Sequence, residues 1–341
     1  MIVFKPYLFN PQLVWYSYHA ILSYNQDINV LIGDRGCGKT YGAEKIVYAD
    51  FKFLKRKFAI IRDTESAVET MCEGEGENMF SAIKKDPKFK NDTFELKGNR
   101  IYMNGQHAGY IMAVSTFYNR KGNDYADVFN VIYDEFIPEK DQVRIGDDVR
   151  KFINTIQNIT RTRKCRLFLL ANALDKGNGI LELLGFDSLK DYGFYINKEK
   201  HAILHYIAPN DNYKRKKQQS LTGFLVSGSR YEENLVENKF VGGDDFIFDK
   251  LPPRDIIGIY HNKNGVAIRL FESKKGNEYF ATKDINSNTL LYMRYTFDIN
   301  NVNPRCKLAP KEHKKFLQDI YAQHLLKFES KYIKNQFLDL L

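Results

Sequence analysis

The sequence predicts an α/β protein: a mostly parallel sheet extended by an antiparallel insert, followed by a smaller α+β domain. Three observations lead to this fold class. They are a glycine-rich loop between a strand and a helix at residues 29–40, an apolar strand that ends in two carboxylates at residues 128–135, and a change to short strands and turns beyond residue 246. The 341 residues are enough for two domains, each with its own core.

Composition indicates a folded protein with a polyanionic partner. Apolar residues make up 43% of the chain and aromatic residues 14%, and the formal net charge of +9 favours nucleic acid as the partner. The four cysteines, Cys37, Cys72, Cys165 and Cys306, lack the spacing of a zinc site and indicate reduced thiols. The sequence opens without a signal peptide pattern, and no apolar run approaches about 18 residues, so we expect neither secretion nor a membrane span.

The first motif is a phosphate-binding loop. An apolar strand at Ile28–Ile32 runs into G-x-x-x-x-G-K-T, and an apolar-periodic helix follows. In such a loop, glycines let backbone N–H groups surround phosphates, the lysine reaches the β and γ oxygens, the hydroxyl ligates Mg²⁺, and the helix adds its positive end. The residues expected to hold the nucleotide are Gly33, Asp34, Arg35, Gly36, Cys37, Gly38, Lys39 and Thr40.

The segments around this loop predict further elements of the sheet. Upstream, residues 10–24 leave two interpretations open: Gln12 contacts the adenine edge, or the segment packs as a short helix on the sheet. Residues 58–62 predict a second buried parallel strand, and residues 70–92 a mobile loop and a short helix. Three short alternating segments with Gly and Asn-Gly turns, between residues 93 and 114, predict the antiparallel insert.

The second motif is the stretch VFNVIYDE at residues 128–135. In phosphate-loop enzymes the first acid after such a strand holds the Mg²⁺ shell, and a following acid can polarise the attacking water. Asp134 is therefore expected to join Thr40 at the metal, and Glu135 to be the general base. Acids at a strand end also occur as plain surface, but the position downstream of Lys39 favours the catalytic interpretation.

Asn172 stands just past the strand at residues 166–170, where a polar residue fits a γ-phosphate sensor. Before that strand, a helical pattern at residues 147–160 leads to Arg161 and Arg163. An arginine donated to the next subunit's γ-phosphate can contribute about 10³ to 10⁵ in rate, so both are finger candidates. The alternative is that both complement the helix dipole.

Two further basic stretches leave their roles open. Arg120 and Lys121, in a polar loop, are two solvated charges or a pair that reaches a neighbouring subunit's nucleotide or DNA. The basic run at residues 214–217 is a solvated face or touches phosphates. Composition turns polar at residue 209 and strand-rich at residue 246, so we predict three parts: residues 1–208, a linker at 209–245, and a domain at 246–341 that closes with helices.

The phosphate loop, VFNVIYDEF, the LLANA strand and the N-terminal FNPQ together resemble the genome-packaging ATPases, or encapsidation proteins, of small Salasvirus-like podoviruses. The resemblance extends to length, motif order and the two-domain plan. It implies an ASCE-type, terminase-like ATPase domain of the P-loop NTPase class, a linker, and an RNase H-like domain that has lost its nuclease activity. It also implies ATP and Mg²⁺ as cofactors of a motor that drives double-stranded DNA into a procapsid, as a ring, usually of five subunits, on the portal vertex in the host cytoplasm.

Site residues carry over from this resemblance only where the motifs match. The clean matches are Lys39, Thr40, Asp134 and Glu135. Arg35 lies where the family has an arginine, and Lys121 matches a basic residue that suggests a role between subunits. The family's arginine-rich stretch before the sensor strand aligns with residues 159–166 only with a one-residue gap, and this alignment favours Arg161 over Arg163 as the finger. The strand at residues 256–260 lacks the carboxylates that a nuclease metal site needs, so no cleavage is expected.

Two other functions fit parts of the sequence. One is a helicase-like nucleic-acid translocase. The other is a structural or RNA-binding ring component whose nucleotide site controls assembly, although Glu135 argues against it because such a site needs no catalytic base. In either packaging or assembly, the C-terminal domain is a candidate for docking on portal protein or on a scaffold RNA.

Overall fold

The computed structural model describes residues 2–6, 15–73, 77–117, 125, 127–137, 148–172, 178–186, 189, 191–208, 211–229, 232, 248, 251–263, 265–274, 276, 278–284 and 293–341. The chain divides into two compact units, Met1–Asp175 with Leu183–Val241 and Lys176–Glu182 with Gly242–Leu341. Among the described helices, none combines the length and the apolar character that a bilayer span requires.

The first unit is built on a ten-stranded sheet. Its strands are β1 (Ile2–Pro6), β2 (Ile28–Ile32), β3 (Lys57–Arg62), β4 (Phe94–Lys97), β5 (Arg100–Met103), β6 (Gln106–Ala113), β7 (Val128–Asp134), β8 (Arg166–Ala171), β9 (Gly193–Asn197) and β10 (Ala202–Tyr206). The order is β1-β9-β10-β2-β8-β7-β3-β6-β5-β4, and the six central strands from β10 to β6 are parallel. The antiparallel β4-β5-β6 meander at one edge confirms the predicted insert.

Helices cover this sheet and connect its strands. The helices of this unit are α1 (His19–Leu22), α2 (Lys39–Leu54), α3 (Glu65–Cys72), α4 (Glu77–Lys84), α5 (Asp148–Thr160), α7 (Asp211–Gln218) and α8 (Leu221–Val226), whereas α6 (Gly179–Leu183) falls mostly in the second unit. The central strands are buried along almost their whole length, as expected of strands covered on both faces. Helix α2 adds Ala43, Val47 and Phe51 to the core beneath it.

The structure corrects one local prediction and adds detail to another segment. Residues 70–92 were expected to be a loop and one helix, but α3 begins earlier, where the Thr64 hydroxyl accepts a hydrogen bond from the Ala67 N–H group (3.2 Å), and α4 follows. Within the predicted linker, α7 and α8 are helical and group with the first unit. The three-part division of the chain stays a prediction.

The second unit is the smaller α+β domain. Its strands are β11 (Arg254–His261), β12 (Ala267–Ser273), β13 (Tyr279–Lys283), β14 (Arg294–Thr296), β15 (Lys307–Leu308) and β16 (Leu326–Phe328), and its helices are α9 (Lys311–Ala322) and α10 (Lys331–Leu338). The sheet order is β15-β14-β11-β12-β13-β16, with an antiparallel meander at β11-β12-β13. Leu317, Ile320, Ile333 and Phe337 from the two helices form its core with Phe328, which confirms the predicted meander followed by helices.

Candidate nucleotide-binding and catalytic site

The phosphate loop joins the carboxyl end of β2 to the first turn of α2. Gly36 and Gly38 have φ angles of 77° and 90°, which favour glycine, and Gly38 is the N-cap residue immediately before α2. The Lys39 ammonium donates hydrogen bonds to the carbonyl oxygens of Gly33 (2.9 Å) and Asp34 (2.7 Å). The lysine therefore lies within the hollow of the loop, where a phosphate group would be held.

Aromatic residues of the N-terminal segment fix the position of α2. The Tyr18 ring lies so close to the helix that a Cβ atom on Gly42 would approach it to 2.5 Å. The Tyr18 hydroxyl also donates to the Lys39 carbonyl oxygen (2.5 Å), and α1 follows directly. These contacts favour the packing interpretation for the described part of this segment, while Gln12 lies outside the described residues.

Thr40 and Asp134 lie side by side. The Thr40 hydroxyl, on the first turn of α2, lies 3.2 and 3.3 Å from the two carboxylate oxygens of Asp134, at the end of β7. Burial raises the pKa of Asp134, and the nearby Arg62 guanidinium opposes that rise. A hydroxyl oxygen beside a carboxylate provides the hard oxygen ligands that Mg²⁺ prefers.

Arg62 joins the two acids, and the sequence analysis missed it. Strands β3 and β7 are parallel neighbours with Ile61 opposite Tyr133, so Arg62 reaches the end of β7. One guanidinium nitrogen donates to Asp134 (3.0 Å) and the other to the Glu135 carboxylate. A charged residue at the end of an otherwise apolar strand, FAIIR, was the available signal, but its partners depend on strand register.

Glu135 has an uncommon backbone conformation. Its φ angle is 55°, a region that costs a non-glycine residue roughly 1–2 kcal/mol. Its N–H group donates to the Asp134 carboxylate (3.1 Å), and its side chain is 36% exposed, far more than that of Asp134. The turn therefore directs one acid into the protein and the next toward solvent, as the predicted division of roles requires.

Asn172 lies at the tip of β8, the strand next to β2. Its side-chain oxygen is 3.3 Å from the Lys39 ammonium, which places it at the phosphate loop. A cavity of about 600 Å³ opens here, within the range typical of ligand pockets. The side chains that line it include Trp15, Arg35, Lys39, Thr40, Glu44, Arg62, Asp134, Glu135 and Asn172.

Two further ionisable residues at this site were not predicted. Glu44, one helical turn after Thr40, lines the cavity, and burial together with the Asp134 charge raises its pKa to about 8. Lys217 of α7, part of the basic run, pairs with the buried Asp34 of the phosphate loop (3.1 Å). Burial raises the pKa of Asp34, while Lys217 acts in the opposite direction.

The two finger candidates have different surroundings. The Arg163 guanidinium donates to the backbone carbonyl oxygens of Tyr125 (2.8 Å), Val128 (3.0 Å) and Ile159 (2.5 Å). Arg161 is exposed, has a φ angle of 52°, and directly follows the last residue of α5. Both precede β8, whose length separates them by roughly 20 Å from the phosphate loop of their own chain.

Arg120 and Lys121 lie outside the described residues, so their expected role between subunits stays a prediction. The same holds for the finger assignment, since it concerns a neighbouring subunit. Within the chain, the structure brings Lys39, Thr40, Asp134, Glu135 and Asn172 to one cavity.

Comparisons with known proteins give a consistent result. The sequence profile of the family described as podovirus DNA encapsidation protein (Gp16) matches residues 11–340. The DNA packaging protein of Bacillus phage phi29 is 26% identical over 330 residues, which cover 94% of this chain and 95% of that protein. A chain from the solved bacteriophage phi29 viral genome packaging motor assembly has a TM-score of 0.68 at 21% identity, covering 96% of this chain and 100% of that one. The N-terminal domain of the DNA packaging ATPase from bacteriophage phi29 has a TM-score of 0.50 at 25% identity, covering 56% of this chain and 95% of that one.

Proposed function

The chain belongs to the podovirus DNA encapsidation protein (Gp16) family, and from this premise we propose that it is an ATP-driven motor that moves double-stranded viral DNA into a procapsid. The observation that carries the proposal is the convergence of the phosphate loop, Asp134 and Glu135 on one cavity. A protein named as a DNA packaging ATPase shares the fold of the nucleotide-binding unit, which supports ATP as the nucleotide.

The loop residues bind and orient the triphosphate. Backbone N–H groups of residues 34–40 and the positive end of α2 face the phosphates. The Lys39 ammonium exchanges its contacts with the loop carbonyl groups for phosphate oxygens, and Asn172 remains beside it to contact the γ-phosphate. Thr40 and Asp134 would hold Mg²⁺, which supplies positive charge that offsets the charge of the β- and γ-phosphates.

Glu135 accepts the proton of the attacking water. Its carboxylate is the more exposed acid of the pair, but the Arg62 guanidinium holds it in an ion pair. Glu135 can therefore activate water only when this ion pair opens or shifts. Arg62 is a positioning residue that keeps the base inactive while the site is incomplete.

The subunit next in a ring completes the site. Arg161 is the better finger because it is exposed and stands at the sheet end far from its own phosphate loop. Arg163 is already engaged by three carbonyl oxygens. We propose a homo-oligomeric ring, a pentamer, that acts at the portal of the procapsid, with Lys121 also contributing between subunits. Docking of the second unit on portal protein or on a scaffold RNA belongs to the same proposal.

We also propose that the second unit has no nuclease activity. Its buried carboxylate, Asp284, is held by Arg269 and by Arg294 (2.9 Å), so its charge is already neutralised. In the described part of the chain, no three His, Cys, Asp or Glu side chains are grouped as a metal site would require.

Steady-state ATP hydrolysis tests the proposed function. We expect double-stranded DNA to stimulate hydrolysis at low salt, Glu135→Gln to abolish it, and Glu69→Gln, the same change on an exposed residue of α3, to leave it intact. Trp15, the only tryptophan, lines the cavity, so its fluorescence reports nucleotide binding separately. Binding without turnover under every condition would contradict the motor, and strand separation by the protein would favour a helicase.

A further inference from the structure

A second cavity lies at the opposite end of the large sheet from the nucleotide site. Its volume is about 370 Å³, and its charged lining residues are Lys55, Arg56, Lys57, Asp127, Arg163 and Lys164. We call this cavity with its charged rim the basic groove. It forms where the parallel strands β3, β7 and β8 begin, whereas the nucleotide site forms where the same strands end.

The groove has an excess of positive charge. Its one carboxylate, Asp127, already pairs with Lys57 (2.9 Å), and this contact lowers the pKa of Asp127. Lys55 donates to the neutral side-chain amide of Gln106 (3.0 Å). In the part of the chain that the structure describes, Lys55, Arg56 and Lys164 form no ion pair with a carboxylate. These three cations are therefore available to an external anion.

The aromatic ring of Phe129 holds part of the groove in place. The Arg56 guanidinium carbon lies 4.2 Å from the ring centroid, and Arg166 approaches the same ring at 5.8 Å. Such cation–π contacts fix the guanidinium plane while its N–H groups remain able to donate. Arginine in this arrangement suits bidentate hydrogen bonds to phosphate oxygens.

The spacing of the cations fits a polyanion. Adjacent strands lie about 4.8 Å apart, so the starts of β3, β7 and β8 span about 10 Å. Along one strand of duplex DNA, charges follow every 3.4 Å or so of helix axis, which gives about three phosphates over this span. A single small anion would use only one point of this row.

We propose that the basic groove binds the phosphate backbone of double-stranded DNA. The choice of DNA rests on the proposed function; the phosphate chemistry rests on the groove itself. Contacts of this kind position a duplex without reading its sequence, as packaging of a whole genome requires. Because β3, β7 and β8 lead from the groove to Arg62, Asp134 and Asn172, three rigid strands connect DNA contact with the hydrolytic site.

Salt-dependent DNA binding tests this site. A short labelled DNA duplex is titrated with the full-length protein without nucleotide, at several salt concentrations, and fluorescence anisotropy gives the affinity. The variant Arg56→Gln/Lys164→Gln removes two exposed cations of the groove, and Lys84→Gln/Lys85→Gln removes two exposed cations at the end of α4. Each lost phosphate contact reduces the slope of log affinity against log salt by about 0.9, so the groove variant should lose about 1.8 and the control almost nothing.

Three results would overturn the proposal. One is an unchanged slope in the groove variant, with thermal unfolding showing that the variant is folded. The second is no salt-dependent binding by the unmodified protein. The third uses duplex RNA of the same sequence as the DNA. If the protein binds this RNA more tightly than the DNA, and the groove variant loses affinity only for the RNA, the groove is an RNA site. The first and third results leave DNA-stimulated ATP hydrolysis by the native chain unchanged, so they count against the groove alone. The second result would also count against the motor assignment, and the hydrolysis test would then show no stimulation by DNA.

Discussion

Arg161 and Arg163 stand two residues apart, yet the structure predicts opposite consequences when each is replaced by alanine. Arg163→Ala removes a guanidinium that bonds the carbonyl oxygens of Tyr125, Val128 and Ile159. Arg161→Ala removes an exposed side chain at the end of α5. Alanine and arginine both carry a Cβ atom, so the conformational cost of the positive φ angle at residue 161 is the same before and after the substitution.

The size of the Arg163 effect follows from its contacts. Hydrogen bonds to charged groups contribute about 1.5–3 kcal/mol each, and since Arg163 is only half-buried we take about 1 kcal/mol for each of its three, or about 3 kcal/mol in total. For a domain of this size, 1 kcal/mol shifts the melting temperature by about 2–4 °C, so Arg163→Ala should lower it by about 6–12 °C. Arg161→Ala should shift it by no more than about 2 °C, as exposed substitutions do.

The effects of the two variants on ATP hydrolysis should be the reverse of their effects on stability. If Arg161 is the finger, Arg161→Ala reduces DNA-stimulated ATP hydrolysis by about 10³-fold or more while melting normally. Arg163→Ala should retain hydrolysis at temperatures where it is folded, and Arg163→Lys should recover little stability because lysine lacks the planar fork. A stable Arg163→Ala protein without hydrolysis would refute this reasoning and make Arg163 the finger.

Three further predictions concern the residues that sequence analysis missed. Arg62→Ala should lower the free energy of unfolding by about 3 kcal/mol, because it leaves the buried Asp134 carboxylate without its cation. Added Mg²⁺ should reduce that loss in thermal melts, and an equal loss with and without Mg²⁺ would count against the proposed metal site. Glu44 has a folded pKa of about 8, above its unfolded value, so its contribution to stability is lost as pH rises from about 4.5 to 8. Glu44→Gln should therefore be more stable than the native chain at pH 8 or so and similar near pH 4.5 in urea titrations, and a constant difference would exclude this effect. Lys217→Met should destabilise the protein more at high than at low pH, because the buried Asp34 carboxyl needs the Lys217 cation only when it is ionised. In an Asp34→Asn background, Lys217→Met should have the same effect at both pH values in urea titrations.

The parts of the fold set by local pattern could be predicted from the sequence. The phosphate loop, the strand ending in two acids, the meander insert and the second meander each follow from short-range periodicity and turn residues. Strands β1 and β9 could not be predicted, because their antiparallel pairing at the sheet edge joins segments almost 200 residues apart. The start of α3 was missed because its signal is one capping hydroxyl, Thr64.

The same distinction applies to the site. Motifs contain the residues Lys39, Thr40, Asp134 and Glu135, so residue type and spacing are sufficient to predict that these side chains belong to one site. Arg62 depends on which strand lies beside β7, and Lys217 on where α7 packs, and neither follows from local pattern. The different surroundings of Arg161 and Arg163 likewise do not follow from local pattern, because the contacts of Arg163 are to backbone carbonyl groups supplied by other segments.

The most direct test of the motor assignment is packaging itself. Purified procapsids that contain portal protein are incubated with viral DNA, ATP, Mg²⁺ and the protein, and any DNA that becomes resistant to added nuclease is measured. We predict protected DNA with the native chain and with Glu69→Gln, and none with Glu135→Gln. Protection by Glu135→Gln equal to that of the native chain would contradict the assignment of the catalytic base. A native chain that hydrolyses ATP on DNA but protects none would contradict the motor assignment.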